Sequence, residues 1–130
     1  MCLFKRGSYK IAKEDLITYK VVTKELRSQY YQFPYELDKT YSKNWNDDFL
    51  AFCKNQETIG GNGFHSNLNK DTCTRLYGDI IVENTDETLK GQLSDNQFLV
   101  KCIIPKGSMY FEGLYTEIFS NQIIIKEICL

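Results

Sequence analysis

The sequence predicts a single α+β domain spanning residues 1–130, and three observations carry that prediction. The last third, from Asn96 onward, is a series of β-rich runs broken by turn chemistry. Leu16 to Val22 alternates with the period of a strand. Two short stretches carry helix spacing and helix caps. Together they predict one mixed, mostly antiparallel sheet with strands near 16–22, 79–83, 98–104 and 122–128. Two short helices, near 45–54 and 68–77, are expected to pack on it.

Residues 1–15 are polar and mixed, and Ala12-Lys13-Glu14-Asp15 suits a helical turn. In the first strand Ile17, Tyr19 and Val21 share one face, expected to be buried. Thr18, Lys20 and Val22 share the other, which is mixed. Tyr30 to Tyr41 is aromatic, and Pro34 assigns it to a loop or an edge packed on the body. Trp45, Phe49, Phe52 and Cys53 recur at i, i+4, i+7 and i+8, a helical stripe. Asn44 or Asn46 can cap that helix, with Asp47 and Asp48 favoured in its first turn. Gly60-Gly61-Asn62-Gly63 breaks regular structure and reads as a flexible connection. A second helix begins near Asn67 or Asn69, with Leu68, Cys73, Leu76 and Tyr77 as its stripe. Ile80-Ile81-Val82 is a short strand, and 84–96 reads as an exposed polar excursion. Phe98 to Ile104 is apolar on both faces and therefore central. Pro105-Lys106-Gly107-Ser108 is a turn, Met109 to Glu112 a further short strand, and Gln122 to Ile128 the last.

The 130 residues suffice for a core without metal or disulfide staples. Sixteen basic and 17 acidic residues, with no long block of either sign, lack the footprint of a nucleic-acid binder. No apolar run approaches the roughly 20 residues that span a bilayer, so no membrane partner is expected. The five cysteines include no C-x-x-C pair and follow no export signal, so they read as reduced thiols of a cytoplasmic protein.

His65 is the only histidine, which rules out a multi-histidine metal site. It could pair with Cys73 or Cys53 as a nucleophile, but a turn histidine bonded to local backbone is the simpler reading. Cys2 would become an N-terminal nucleophile after loss of Met1, or be simply tolerated there. Gly60 to Gly63 could cradle an anion but lacks the spacing of known phosphate loops. Glu112 and Glu117 flank a loop with Tyr115 and could do acid–base work, or be solvated loop acids. Tyr30, Tyr31, Phe33, Tyr35, Tyr110 and Tyr115 are the candidate binding residues, since aromatics commonly anchor interfaces. Core filling is the competing role for half of them.

Several phrases carry resemblances. Met1-Cys2-Leu3, Thr18-Tyr19-Lys20-Val21, Phe33 to Tyr41, Gly63-Phe64-His65-Ser66, Lys101 to Ser108 with Tyr110, and Glu117-Ile118 with Ser120 form one set. That set resembles a family of small uncharacterised proteins of gut bacteria and their phages, and it implies no activity. The chain also distantly resembles ADP-ribosyltransferase-like domains. These place a basic residue or His on an early strand, a Ser-containing motif on a middle strand and a glutamate near a late strand. The resemblance implies Lys20, Ser66 and Glu117 in those roles and NAD as cofactor. Lysine at position 20 lacks the bidentate fork of arginine. Gly-Phe-His-Ser holds one serine of the usual Ser-Thr-Ser, and Tyr115-Thr116-Glu117 lacks the acidic or amide residue two positions before the glutamate.

The expectation is a non-catalytic accessory protein that binds a protein or a small ligand, without metal or cofactor, and compatible with a homo-oligomer. The alternative is an ADP-ribosyltransferase-like enzyme, or an inactive relative that still binds a nucleotide.

Overall fold

A computed structural model describes residues 3–29, 32–83 and 89–129 of the chain. In order run β1 (Leu3–Phe4), β2 (Lys10–Ile11), β3 (Leu16–Thr23), β4 (Thr40–Ser42), α1 (Asp47–Lys54), β5 (Thr58–Ile59) and β6 (Phe64–Asn67). Then follow α2 (Lys70–Tyr77), β7 (Ile80–Glu83), β8 (Leu89–Gln92), β9 (Gln97–Ile104), β10 (Met109–Glu112), β11 (Glu117–Ser120) and β12 (Gln122–Ile128). Eight strands form one sheet in the order β2-β10-β11-β6-β3-β9-β12-β4. Its ladders are antiparallel, and Leu37 and Ile125 add a single parallel bridge. The domain is α+β, as its sequence predicts.

The longest ladder joins β3 to β9, from Leu16↔Ile104 to Thr23↔Gln97. Alternation then sends Thr18, Lys20, Val22, Val100, Cys102 and Ile104 to one face, and all six are buried. Phe64, Ile118, Ile123 and Ile125 join them from neighbouring strands, and Tyr35 covers them with Leu26, Phe33 and Tyr41. The aromatic segment thus packs on the body, with Phe33, Tyr35 and Tyr41 in mutual ring contact. On the opposite face, α1 and Trp45 cover Phe111 and Phe119, while α2 covers Val21 and Leu99 through Cys73 and Tyr77.

Both helices are set by their caps. The Asn46 side chain accepts from Phe49 N–H and the Asn69 side chain from Thr72 N–H. Lys5 Nζ donates to the carbonyls of Cys53 and Lys54, placing a cation at the negative end of α1.

Several expectations are corrected. The strand near 79–83 stands outside the main sheet: β7 pairs only with β8, as a separate hairpin. The expected polar excursion therefore contains a strand, Leu89–Gln92. Gly91 permits it, since a Cβ there would lie 2.5 Å from the Arg75 carbonyl oxygen of α2. Ala12 to Asp15 forms no helical turn; Ala12 N–H instead bonds Ser108 O. Phe52 leaves the stripe of α1 and is 60% exposed, while Trp45 is buried just before the helix starts. The faces of β3 also depart from expectation. Ile17 is 48% exposed, and the mixed face of Thr18, Lys20 and Val22 is the deeper one.

Candidate functional site

β3 has two edges, and they behave differently. Along β9 it is laddered throughout; along β6 it pairs only at Tyr19↔Asn67. Beyond that pair the two strands part, and side chains reach the backbone there. Lys20 Nζ donates to His65 O at 2.7 Å, and Cys73 Sγ donates to Tyr19 O at 3.5 Å.

A cavity of about 420 Å³ occupies the parting. Lys20 and Val21 line it from β3, Phe64 and Ser66 from β6, Phe33 and Tyr35 from the aromatic segment. Cys73 and Tyr77 close it from α2, and Gly60 to Gly63 form one wall. That glycine-rich stretch is pinned rather than the expected loose connection. Trp45 Nε1–H donates to Asn62 O at 2.6 Å, and His65 Nε2 lies 3.0 Å from Gly60 O. Asn62 sits at φ 66°, a left-handed backbone that Asn tolerates. Gly63 must be glycine, because a Cβ would meet the Phe119 ring at 2.5 Å.

Lys20 is the dominant charge of the site. It is 9% exposed, its Nζ stands 5.9 Å from the centre of the Tyr35 ring, and among the described residues it has no carboxylate partner. Burial pushes its ammonium below the usual lysine range. Ser66 is 6% exposed, and its Oγ has no hydrogen-bond partner among the described residues. Among the described residues the lining contains Lys20 and Lys43 but no Asp or Glu, in a chain whose acids outnumber its basic residues.

The other titratable groups are held neutral. Burial brings His65 down to about 4, with Lys20 adding to the effect against the Gly60 hydrogen bond. A carbonyl can only accept, so Nε2 carries the proton and Nδ1 is bare. Burial pushes Cys73 and Cys102 up to about 12 and raises Tyr35 beyond the ordinary tyrosine range. A protonated Cys73 bonded to backbone and a neutral His65 bonded to Gly60 make no nucleophilic pair. Cys53 is buried, and its thiol is likewise raised.

The sequence-predicted residues divide. Lys20 and Ser66 share a sheet face and line the cavity, whereas Glu117 is not in the lining. Its register partner is Asn67, and Ser66 faces Ile118, so Glu117 lies on the opposite face from Ser66. Glu112 is engaged with Lys10 Nζ at 3.1 Å. Of the aromatic candidates, Phe33 and Tyr35 line the cavity and Tyr35 is buried. Tyr110 packs half-buried against the same core, while Tyr115 is 63% exposed at the β10–β11 turn. Tyr30, Tyr31 and Cys2 lie outside the described residues.

Sequence reasoning assigned no binding role to Val21, Tyr77, Phe64 or Lys43. One signal was available: Lys20 is a lone cation within Leu-Ile-Thr-Tyr-Lys-Val-Val, an otherwise uncharged strand. Among the described residues no three His, Cys, Asp or Glu side chains gather as a metal site, and no helix is long and apolar enough to cross a membrane. Comparison with known proteins finds no matching family model, no matching curated protein and no matching solved structure.

Proposed function

We propose that the protein is a non-catalytic small-ligand-binding module of bacterial or phage origin, working in the cytoplasm. Its ligand enters the parting between β3 and β6. One observation carries this reading: a buried lysine and a buried hydroxyl without a partner among the described residues line the same largely apolar cavity. Buried polar groups are costly without partners, so two of them opening on one cavity mark a place for a ligand to complete. The volume suits a compact organic molecule. The aromatic segment serves this role as the wall of the cavity, more than as an open interface.

The test is a titration with 2-naphthoate, 2-naphthamide and 2-naphthylmethylammonium, three flat probes of one shape and different charge. Backbone amide signals of Lys20, Gly61, Phe64 and Ser66 should move with at least one of them, saturably and at sub-millimolar probe. Silence of all four amides toward all three probes would end the reading.

A second reading has its own support. Lys20, Ser66 and Glu117 sit on β3, β6 and β11, three adjacent strands. That order puts Lys20 and Ser66 on one face of adjacent strands and Glu117 on the other, so it supports nucleotide binding rather than the three-residue constellation of turnover. Glu117, outside the cavity, favours the inactive nucleotide-binding form over turnover. NAD should then shift the cavity amides without release of nicotinamide, and Glu117→Gln should leave NAD affinity within about twofold. Nicotinamide release that Glu117→Gln abolishes would restore the enzyme.

A further inference from the structure

The lining of the cavity says what kind of molecule completes it. As an ammonium Lys20 Nζ carries three protons, of which His65 O takes one, and an anion beside it would hold that charged form against the burial that disfavours it. The other protons face the cavity and the Tyr35 ring, a weak partner for an ammonium removed from water. Ser66 Oγ adds a hydroxyl that, among the described residues, has nothing to donate to. Among the described residues no acidic side chain lines the cavity to compete for either donor. Phe33, Tyr35, Phe64 and Tyr77 supply flat apolar walls. We infer that the cavity selects a planar aromatic molecule bearing a single carboxylate, received by Lys20 Nζ and Ser66 Oγ. This rests on the ligand-binding reading above.

Charge balance fixes the choice among anions. One buried ammonium offsets one negative charge. The second lysine of the lining, Lys43, is exposed, and its Nζ stands 6.0 Å from the centre of the Phe33 ring. Solvent screens it, so it attracts an anion from outside more than it neutralises a buried one. A doubly charged phosphate would leave one charge buried and unmatched, at high cost. A neutral ligand would leave the ammonium in its present state. A cationic ligand would add repulsion in a medium of low dielectric.

The same three probes test the inference separately from the reading it rests on. The protein should bind 2-naphthoate about tenfold more tightly than its isostere 2-naphthamide near neutral pH, since hydrogen bonds between charged partners are the strong ones. 2-Naphthylmethylammonium should bind weakest. Lys20→Met should abolish the preference while 2-naphthamide still binds. Ser66→Ala removes only an oxygen without a partner and keeps the inference testable should Lys20→Met not fold. It should lower the naphthoate-to-naphthamide ratio by about threefold, the loss of one hydrogen bond. Equal binding of naphthoate and naphthamide overturns the inference and leaves the ligand-binding reading standing. So does a preference that survives Lys20→Met, or a ratio that Ser66→Ala leaves unchanged. Failure of every probe to reach the cavity overturns both.

Discussion

The two edges of β3 carry the same strand and opposite designs. On the β9 side, eight consecutive residue pairs are laddered, and Val22, Val100 and Ile104 are sealed beneath the aromatic segment. On the β6 side, pairing stops at Tyr19↔Asn67 and the space fills with a lysine, a serine and a cavity. The closed edge satisfies its backbone by regular repetition, whereas at the open edge single side chains reach the backbone, Lys20 on His65 O and Cys73 on Tyr19 O. Stability therefore concentrates on one side of the strand, and chemistry on the other.

Truncating each edge should expose that division most strongly. Ile104→Ala, at the closed edge, removes a fully buried side chain from the main core. It should cost about 3–4 kcal/mol, from lost burial and the cavity left behind. Ser66→Ala, at the open edge, deletes an unsatisfied buried hydroxyl. It should change stability by less than about 1 kcal/mol and in the stabilising direction. Urea unfolding of the two variants gives both numbers. Comparable losses would mean that the edges share the work equally.

The same contrast governs what the sequence could reveal. The closed edge is written in period two: Leu16 to Val22, Phe98 to Ile104 and Gln122 to Ile128 are all legible as strands. The caps Asn46 and Asn69 are legible too, because a cap acts on residues two or three places away. β4, β6 and β11 are too short to show a period and lack the apolar run that makes the equally short β7 legible. β8 reads as polar loop because Lys90, Gly91 and Gln92 carry no apolar alternation, and its glycine is required by the closeness of α2. The cavity is the least legible feature. It exists where two strands more than 40 positions apart stop pairing, and no local pattern encodes the end of a ladder. Lys20 and Ser66 were singled out through a resemblance, while the pinning of Gly60 to Gly63 by Trp45 and His65 depends on contacts across the fold.

The smaller test concerns acid, and it should weaken the open edge selectively. His65 holds Gly60 through Nε2 and Lys20 through its carbonyl, and its ring lies 4.7 Å from that of Phe119. Burial disfavours a proton on the ring, and Lys20 adds to that against the hydrogen bond to Gly60 O. Its folded value of about 4 lies below the ordinary 6.5, so the unfolded chain binds the proton more readily between those limits. The stabilisation from keeping His65 neutral is complete above about 6.5 and drains away as pH falls through that window toward 4. At the lower limit the loss reaches about 3 kcal/mol, a ceiling for this partly exposed ring. His65→Gln keeps a donor for Gly60 O and removes the titration. Its stability should therefore fall less than that of the wild type on going from neutral pH to pH 4, by up to this amount, in parallel urea unfolding curves. Equal acid sensitivity of the two proteins would place the acid-labile group elsewhere and detach His65 from the parting. A larger acid loss in His65→Gln would reverse the sign of the linkage altogether. In the expected case the amides of Gly60 to Gly63 should gain hydrogen-exchange rate at pH 5, relative to the rate set by chemistry alone, before those of Leu99 to Ile104 do. The edge that carries the cavity would then be the first to open.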